Sequence, residues 1–126
     1  MEPEISYDPK QDVSEHYPTL PTPEEVIIPM IEHIVLFQWK PEATPEQIES
    51  ALTELKALQT KIPNVLALSV GKNFSERSQG FTHGLVVRFP DREALEVYGP
   101  HKAHQHVVQT FINPIRLDIL AVDYEF

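Results

Sequence analysis

The sequence contains no cysteine, which excludes structural disulfides, thiolate metal sites and a cysteine nucleophile, and leaves nothing that asks for an oxidising compartment. Its four glycines form neither a phosphate-cradling loop nor a G-x-S-x-G elbow, so nucleotide cofactors and a serine hydrolase lack their signatures. No apolar run approaches the length that spans a bilayer, and the opening MEPEISYDPK is acidic, without the basic-then-apolar order of a signal peptide. A cytoplasmic protein without membrane contact is expected. Basic charge is scarce as well: 10 Lys and Arg face 19 Asp and Glu, with no basic stripe, which argues against nucleic acid as a partner.

What is present divides into two parts. Residues 1–29 carry seven acidic residues against one lysine and six of the twelve prolines, without glycine or sustained periodicity, a composition that favours an extended arm. The apolar knot VIIPM at its end is expected to dock on the domain as an edge strand or a lid. Residues 30–126 read as one domain with a modest core, and from Ile31 the patterning is strong.

IEHIVLFQWK alternates, with Ile31, His33, Val35, Phe37 and Trp39 on one face, as a first strand requires. PEATPEQIESALTELKALQTKIP opens a helix with Thr44 as N-cap, Pro45 at its first position and Gln47 closing a capping box. Its apolar positions Ile48, Ala51, Leu52, Leu55, Leu58 and Ile62 follow helical spacing, and Pro63-Asn64 stops it. VLALSVGK and FTHGLVVRF supply two more strands, the latter with Phe81, His83, Leu85, Val87 and Phe89 on one side. DREALEVY forms a short helix capped by Asp91, Gly99-Pro100 breaks it, HKAHQHVVQTFI forms another, and RLDILAVDYEF closes the sheet. The order β-α-β-β-α-β, with the second helix split, is that of a ferredoxin-like α+β sandwich. Both strand faces are apolar, since Ile34, Leu36 and Val86 lie opposite Val35, Phe37 and Leu85, while helices on one side cover only one of them. Sheet-on-sheet packing with a second copy, a homodimer, is the expected cover.

Three of the six histidines stand in EVYGPHKAHQH. If the helical layer covers His33 and His83, the broken segment with Tyr98, His101 and His104 lies over them, predicting an apolar pocket with a few polar groups. His104 and Tyr98 are the candidate catalytic pair, because imidazole and phenol exchange protons and an apolar surround shifts their pKa values. His33, His83, Val35, Phe37, Leu85, His101 and Val108 are the candidate substrate contacts. Against this stands a plain alternative: a lone histidine on an apolar strand face is more often a hydrogen-bonded core residue, and Tyr98 alone reads as a core aromatic with its hydroxyl at the surface. His106 and Lys102 fall on solvated faces. HKAH offers two imidazoles, but helical metal ligands usually stand four apart and no carboxylate matches, so no metal is expected.

EHIVLFQWKPEATPEQI, GFTHGLVVRF and YGPHKAHQHVV together resemble the stress-responsive A/B barrel domain family over about residues 31–125. The resemblance implies a dimeric α+β barrel. It also implies, for members that are enzymes, cofactor-free polyketide cyclisation by intramolecular aldol condensation, with the catalytic histidine on His104, the catalytic tyrosine on Tyr98 and pocket histidines on His33 and His83. The expected activity is acid–base ring closure or dehydration of a hydrophobic, polyketide-like intermediate of secondary metabolism without cofactor. The alternative is a non-enzymatic dimeric stress or ligand-binding protein, as other members are; a third reading is a heme-free monooxygenase or decarboxylase on the related scaffold. Phe37 and Trp39 are bulky for the first strand and are expected to reshape or fill the pocket.

Overall fold

Alternation at Ile31–Trp39 becomes strand β1 in the computed structural model, which describes residues 28–126; most of the acidic arm, including Val26 and Ile27 of the VIIPM knot, lies outside the described residues. Helix α1 spans Pro45–Lys61 and starts as its capping box requires: the Thr44 hydroxyl accepts from the Gln47 amide at 3.1 Å, and the Gln47 side chain accepts from the Thr44 amide at 2.9 Å. Its stripe of Ala51, Leu52, Leu55 and Leu58 is buried. Strands β2 (Ala67–Lys72) and β3 (His83–Phe89) follow, then α2 (Arg92–Tyr98), α3 (Lys102–Val107) and β4 (Arg116–Glu125). Between β2 and β3 the turn needs glycine at position 80, where φ is +89° and a Cβ would come within 2.5 Å of the Gln38 amide.

All neighbouring strands are antiparallel in the order β2-β3-β1-β4, with helices on one face, the arrangement of a ferredoxin-like α+β fold. The core lies between that face and α1, where Val35, Phe37, Leu85, Val87 and Phe89 meet Leu52, Leu55 and Leu58. Met30 exchanges two backbone hydrogen bonds with Phe126, at 2.8 and 2.9 Å, so the end of the knot extends the β1–β4 ladder.

The opposite face carries Ile34, Leu36 and Val86 beside Leu120, Val122 and Tyr124, the last three each nearly half exposed. On it Glu32 and Arg88, cross-strand partners, form a two-pronged ion pair at 3.1 and 3.0 Å, and this hydrogen bonding holds the Glu32 carboxyl below its usual range.

The expected continuous helix over His101–Ile112 is corrected. After Val107 the chain widens into a π-helical turn, Val108–Ile112, closed by Asn113 N–H donating to the Val108 carbonyl five residues back at 2.8 Å. Such turns recur near functional sites, and this one carries two residues of the cavity described next.

Candidate active site

The broken helix determines how His104 is held. Gly99 ends α2, and His101 starts α3 by accepting the Ala103 amide on its Nδ1 at 3.0 Å. The Gly99 carbonyl, left behind at the break, lies 2.9 Å from Nδ1 of His104. A carbonyl only accepts, so Nδ1 carries the proton and Nε2 keeps its lone pair. Burial lowers the pKa of His104 below the ordinary histidine value, opposed by the bond to Gly99, and the nearby His33 and His101 lower it further. At neutral pH this imidazole is a neutral base.

Tyr98, the last residue of α2, packs its ring against both imidazoles: its centroid is 4.5 Å from that of His104 and 6.0 Å from that of His33, the latter edge-on. The residue is 1 % exposed, and its hydroxyl has no hydrogen-bond partner among the described residues. The hydroxyl is therefore deep inside, not at the surface, and burial pushes its pKa up to about 12. A buried hydroxyl without a partner costs about 1–3 kcal/mol, so the fold carries an unused donor on a ring packed against two imidazoles, although Tyr98 itself does not line the cavity that those imidazoles share.

His33 is oriented by a residue that the alternation of β1 did not reveal. Asp123 is its cross-strand partner on β4, and the Asp123 carboxylate accepts from Nδ1 of His33. That bond fixes the ring and turns Nε2 away from the carboxylate. The Asp123 side chain is 46 % exposed against 14 % for His33, so the pair runs from the interior to the surface. The available signal was parity: Asp123 shares the register of Ile119 and Ala121, opposite the inward residues Phe37, Val35 and His33 of β1.

His33 and His104 line one apolar cavity of about 200 Å³, walled by Val35, Phe37, Leu55, Leu85, Val108, Ile112 and Ile119. His104, Val108 and Ile112 recur every four residues along one face of α3 and its π extension. Larger depressions elsewhere carry more charged or polar residues: Arg92, Glu96, Asp123 and Glu125 in one of about 280 Å³, Glu46, Gln47, Ser50 and Thr110 in another of the same size, and Glu32, Ser69 and Arg88 in one of about 240 Å³. The smaller cavity has the chemistry of a ligand site, apolar walls with two convergent imidazoles.

The chamber of four imidazoles expected from the sequence is reduced to two. His83 faces the same side of the sheet as His33, but antiparallel register pairs His33 with Val87 and His83 with Phe37, at opposite ends of the ladder. There Nδ1 of His83 accepts from the indole of Trp39 at 2.9 Å, and its pKa is lowered by burial and by Lys72, against a smaller raising effect of Glu49. His101 caps α3 and does not line the cavity. Phe37 and Trp39 stack on each other and leave the cavity open, and Phe111 lies in an outer depression with its ring against His106. Among the described residues no group of three His, Asp or Glu side chains is placed to hold a metal ion.

A four-stranded antiparallel sheet with helices on one face and an imidazole-lined cavity between them defines a ferredoxin-like α+β domain with an internal site. The chain belongs to the stress responsive A/B barrel domain family (Dabb), whose model matches residues 31–126. It is 38% identical over 104 residues to a stress-response A/B barrel domain-containing protein of Arabidopsis thaliana, a match covering 82% of this chain and 38% of that relative, so the chain spans well under half of the longer protein. Among solved structures it is similar to a dimeric ferredoxin-like protein of unknown function from Thermobifida fusca, at 26% identity and TM-score 0.69, covering 78% of this chain and 92% of that one. It shares its fold with the hydroxynitrile lyase of Passiflora edulis, at 20% identity and TM-score 0.71, covering 77% and 93% of the two chains. No helix among the described residues is long and apolar enough to cross a membrane.

Proposed function

We propose that this domain is a cofactor-independent acid–base catalyst acting on a small hydrophobic carbonyl compound. The observation that carries the reading is the fixed tautomer of His104: Nδ1–H is engaged by the Gly99 carbonyl, which leaves a lone pair on Nε2 of a residue that lines an apolar cavity. His104 removes a proton from carbon next to a carbonyl. The phenol of Tyr98, protonated throughout the neutral range, donates to the oxygen on which charge develops, and His33, held by Asp123, is the second proton donor or acceptor. Apolar walls fold a flexible substrate so that the carbanion meets its electrophile, and orientation of this kind lowers barriers by several kcal/mol.

Aldol-type ring closure or dehydration of a polyketide-like intermediate in secondary metabolism is the finer form of this proposal. The hydroxynitrile lyase of the same fold is an instance of an enzyme on this scaffold. The catalyst is proposed to act in the cytoplasm as a homodimer, with the exposed apolar sheet face, Leu120 and Val122 at its centre, packed against the same face of a second copy; the dimeric relative supports this. A non-enzymatic ligand-binding role in stress response is the second reading, favoured by the name of the Arabidopsis relative.

Deuterium uptake from D₂O by a small aryl alkyl ketone, followed by NMR, separates them. The domain is expected to accelerate exchange next to the carbonyl, and His104→Gln to remove the acceleration by about 10²-fold or more. Exchange no faster than in buffer would refute the catalytic reading and leave the binding role.

A further inference from the structure

His83 is the imidazole that the catalytic reading leaves without a task, and the chemistry of its partner indicates one. An indole N–H only donates, so Nδ1 of His83, 2.9 Å from Trp39 Nε1, must accept, and the ring is neutral with its proton on Nε2. The Thr82 hydroxyl lies 2.9 Å from the same nitrogen. Held in this way, the buried Trp39 stacks on Phe37 with centroids 5.1 Å apart and planes within 6°. Phe37 is the member of the stack that lines the cavity. The three side chains form a chain of contacts, His83 to Trp39 to Phe37, that ends on the cavity wall.

We propose, on the reading that the His33–His104 cavity is the substrate site, that Phe37 is a stop setting how long an apolar substituent the cavity admits, and that His83 is a positioning residue acting on it through Trp39. The geometry gives the stop its place. His33 marks the polar end of the cavity, and Phe37 stands four residues further along β1, roughly 13 Å away at about 3.3 Å per residue. The cavity of about 200 Å³ is not much larger than the roughly 150 Å³ apolar hole that takes up benzene. The ligand class is therefore one ring, or a short chain of similar bulk, carrying an oxygen at the imidazole end. A long alkyl or polyketide tail enters only if the stack moves.

Calorimetric titration of the full chain with 4-alkylphenols, from 4-methylphenol to 4-heptylphenol, tests this without turnover. For the wild type, affinity is expected to rise about fourfold per methylene and then break off where the chain meets Phe37. Phe37→Ala shifts the break to longer chains, and two methylenes past the wild-type break it binds more than about tenfold tighter than the wild type. Trp39→Phe, which keeps a stacking ring but loses the N–H, and His83→Ala shift the break the same way by less. The double variant shifts it no further than either single one, as coupled residues do. A His83 that contacted the ligand directly would weaken every phenol alike and leave the break in place, which overturns its positioning role. An unmoved break in Phe37→Ala refutes the stop while the proton-exchange test of His104 stands apart. Failure of every phenol to bind the wild type removes the cavity as a site, and both readings with it.

Discussion

Replacing Tyr98 with phenylalanine sets stability and activity against each other. The ring keeps its contacts with Phe89, His33 and His104, at centroid distances of 5.1, 6.0 and 4.5 Å, so little packing is lost. What disappears is one hydroxyl, buried without a partner among the described residues. Leaving such a group unsatisfied costs about 1–3 kcal/mol, so Tyr98→Phe is expected to stabilise the domain by about 1 kcal/mol or more, a rise of roughly 3–8 °C in midpoint temperature for a domain of this size. The same hydroxyl is the proposed donor to the developing oxyanion, and losing one such donor costs about 10²–10³-fold in turnover. Urea unfolding of the two proteins side by side gives the first quantity with no knowledge of the substrate. A variant less stable than the parent by about 1 kcal/mol would show that the hydroxyl is satisfied in the free protein, which refutes the idea of a donor held ready for substrate. Gain in stability with loss of turnover is the signature of strain kept for function.

Further outcomes concern charge and assembly. Because burial holds His104 below the ordinary histidine value, activity is expected to rise with pH on a limb below about 6.5, then stay level until the Tyr98 phenol ionises near 12; a limb centred above 7 in the pH–rate profile would contradict His104 as the base. Stability follows the same groups: His104 and His83, with lowered folded pKa values, weaken the fold as pH falls below about 6.5 and through those lowered values, whereas Tyr98, raised, weakens it as pH climbs from about 10 to 12. Urea midpoints measured across pH 4–8 check the acid side. Asp123→Ala is expected to lower turnover about tenfold or more with little change in the unfolding midpoint, since its side chain is 46 % exposed; an unchanged rate would dismiss the His33 pair from the mechanism. Val122→Asp places a charge on the apolar sheet face at a position already 45 % exposed, so the fold should persist while sedimentation shifts from dimer to monomer; a persistent dimer would place the interface elsewhere.

Local signals in the sequence were enough for the elements. The T-P-E-Q start of α1 could be read because a capping box is satisfied within four residues, and both of its hydrogen bonds form. Alternation in IEHIVLFQW and FTHGLVVRF placed His33, Val35, Phe37, His83 and Leu85 on the covered face, since side-chain direction in a strand depends only on parity. The break at Gly99-Pro100 marked where Tyr98 and His104 come together. The π turn was not legible, because its pattern of apolar residues hardly differs from that of an α-helix over five positions.

Parity assigns a face but no position along the strand, and that is the boundary between what the chain determined alone and what the fold decided. Whether His83 meets His33 depends on the β1–β3 register, and pairing His33 with Val87 set them at opposite ends. The same holds for Asp123, 90 residues from His33, which reaches it only because the β1–β4 register is unbroken from Ile31 to Gln38 and shifts only beyond, between Gln38 and Trp39; a single-residue slip at His33 would turn the carboxylate to the other side of the sheet. Sequence alone determined which residues were apolar, capped and inward; tertiary structure decided which imidazoles share a cavity, which hydroxyl lost its partner and which indole a histidine holds, because those contacts join strands and helices far apart in the chain.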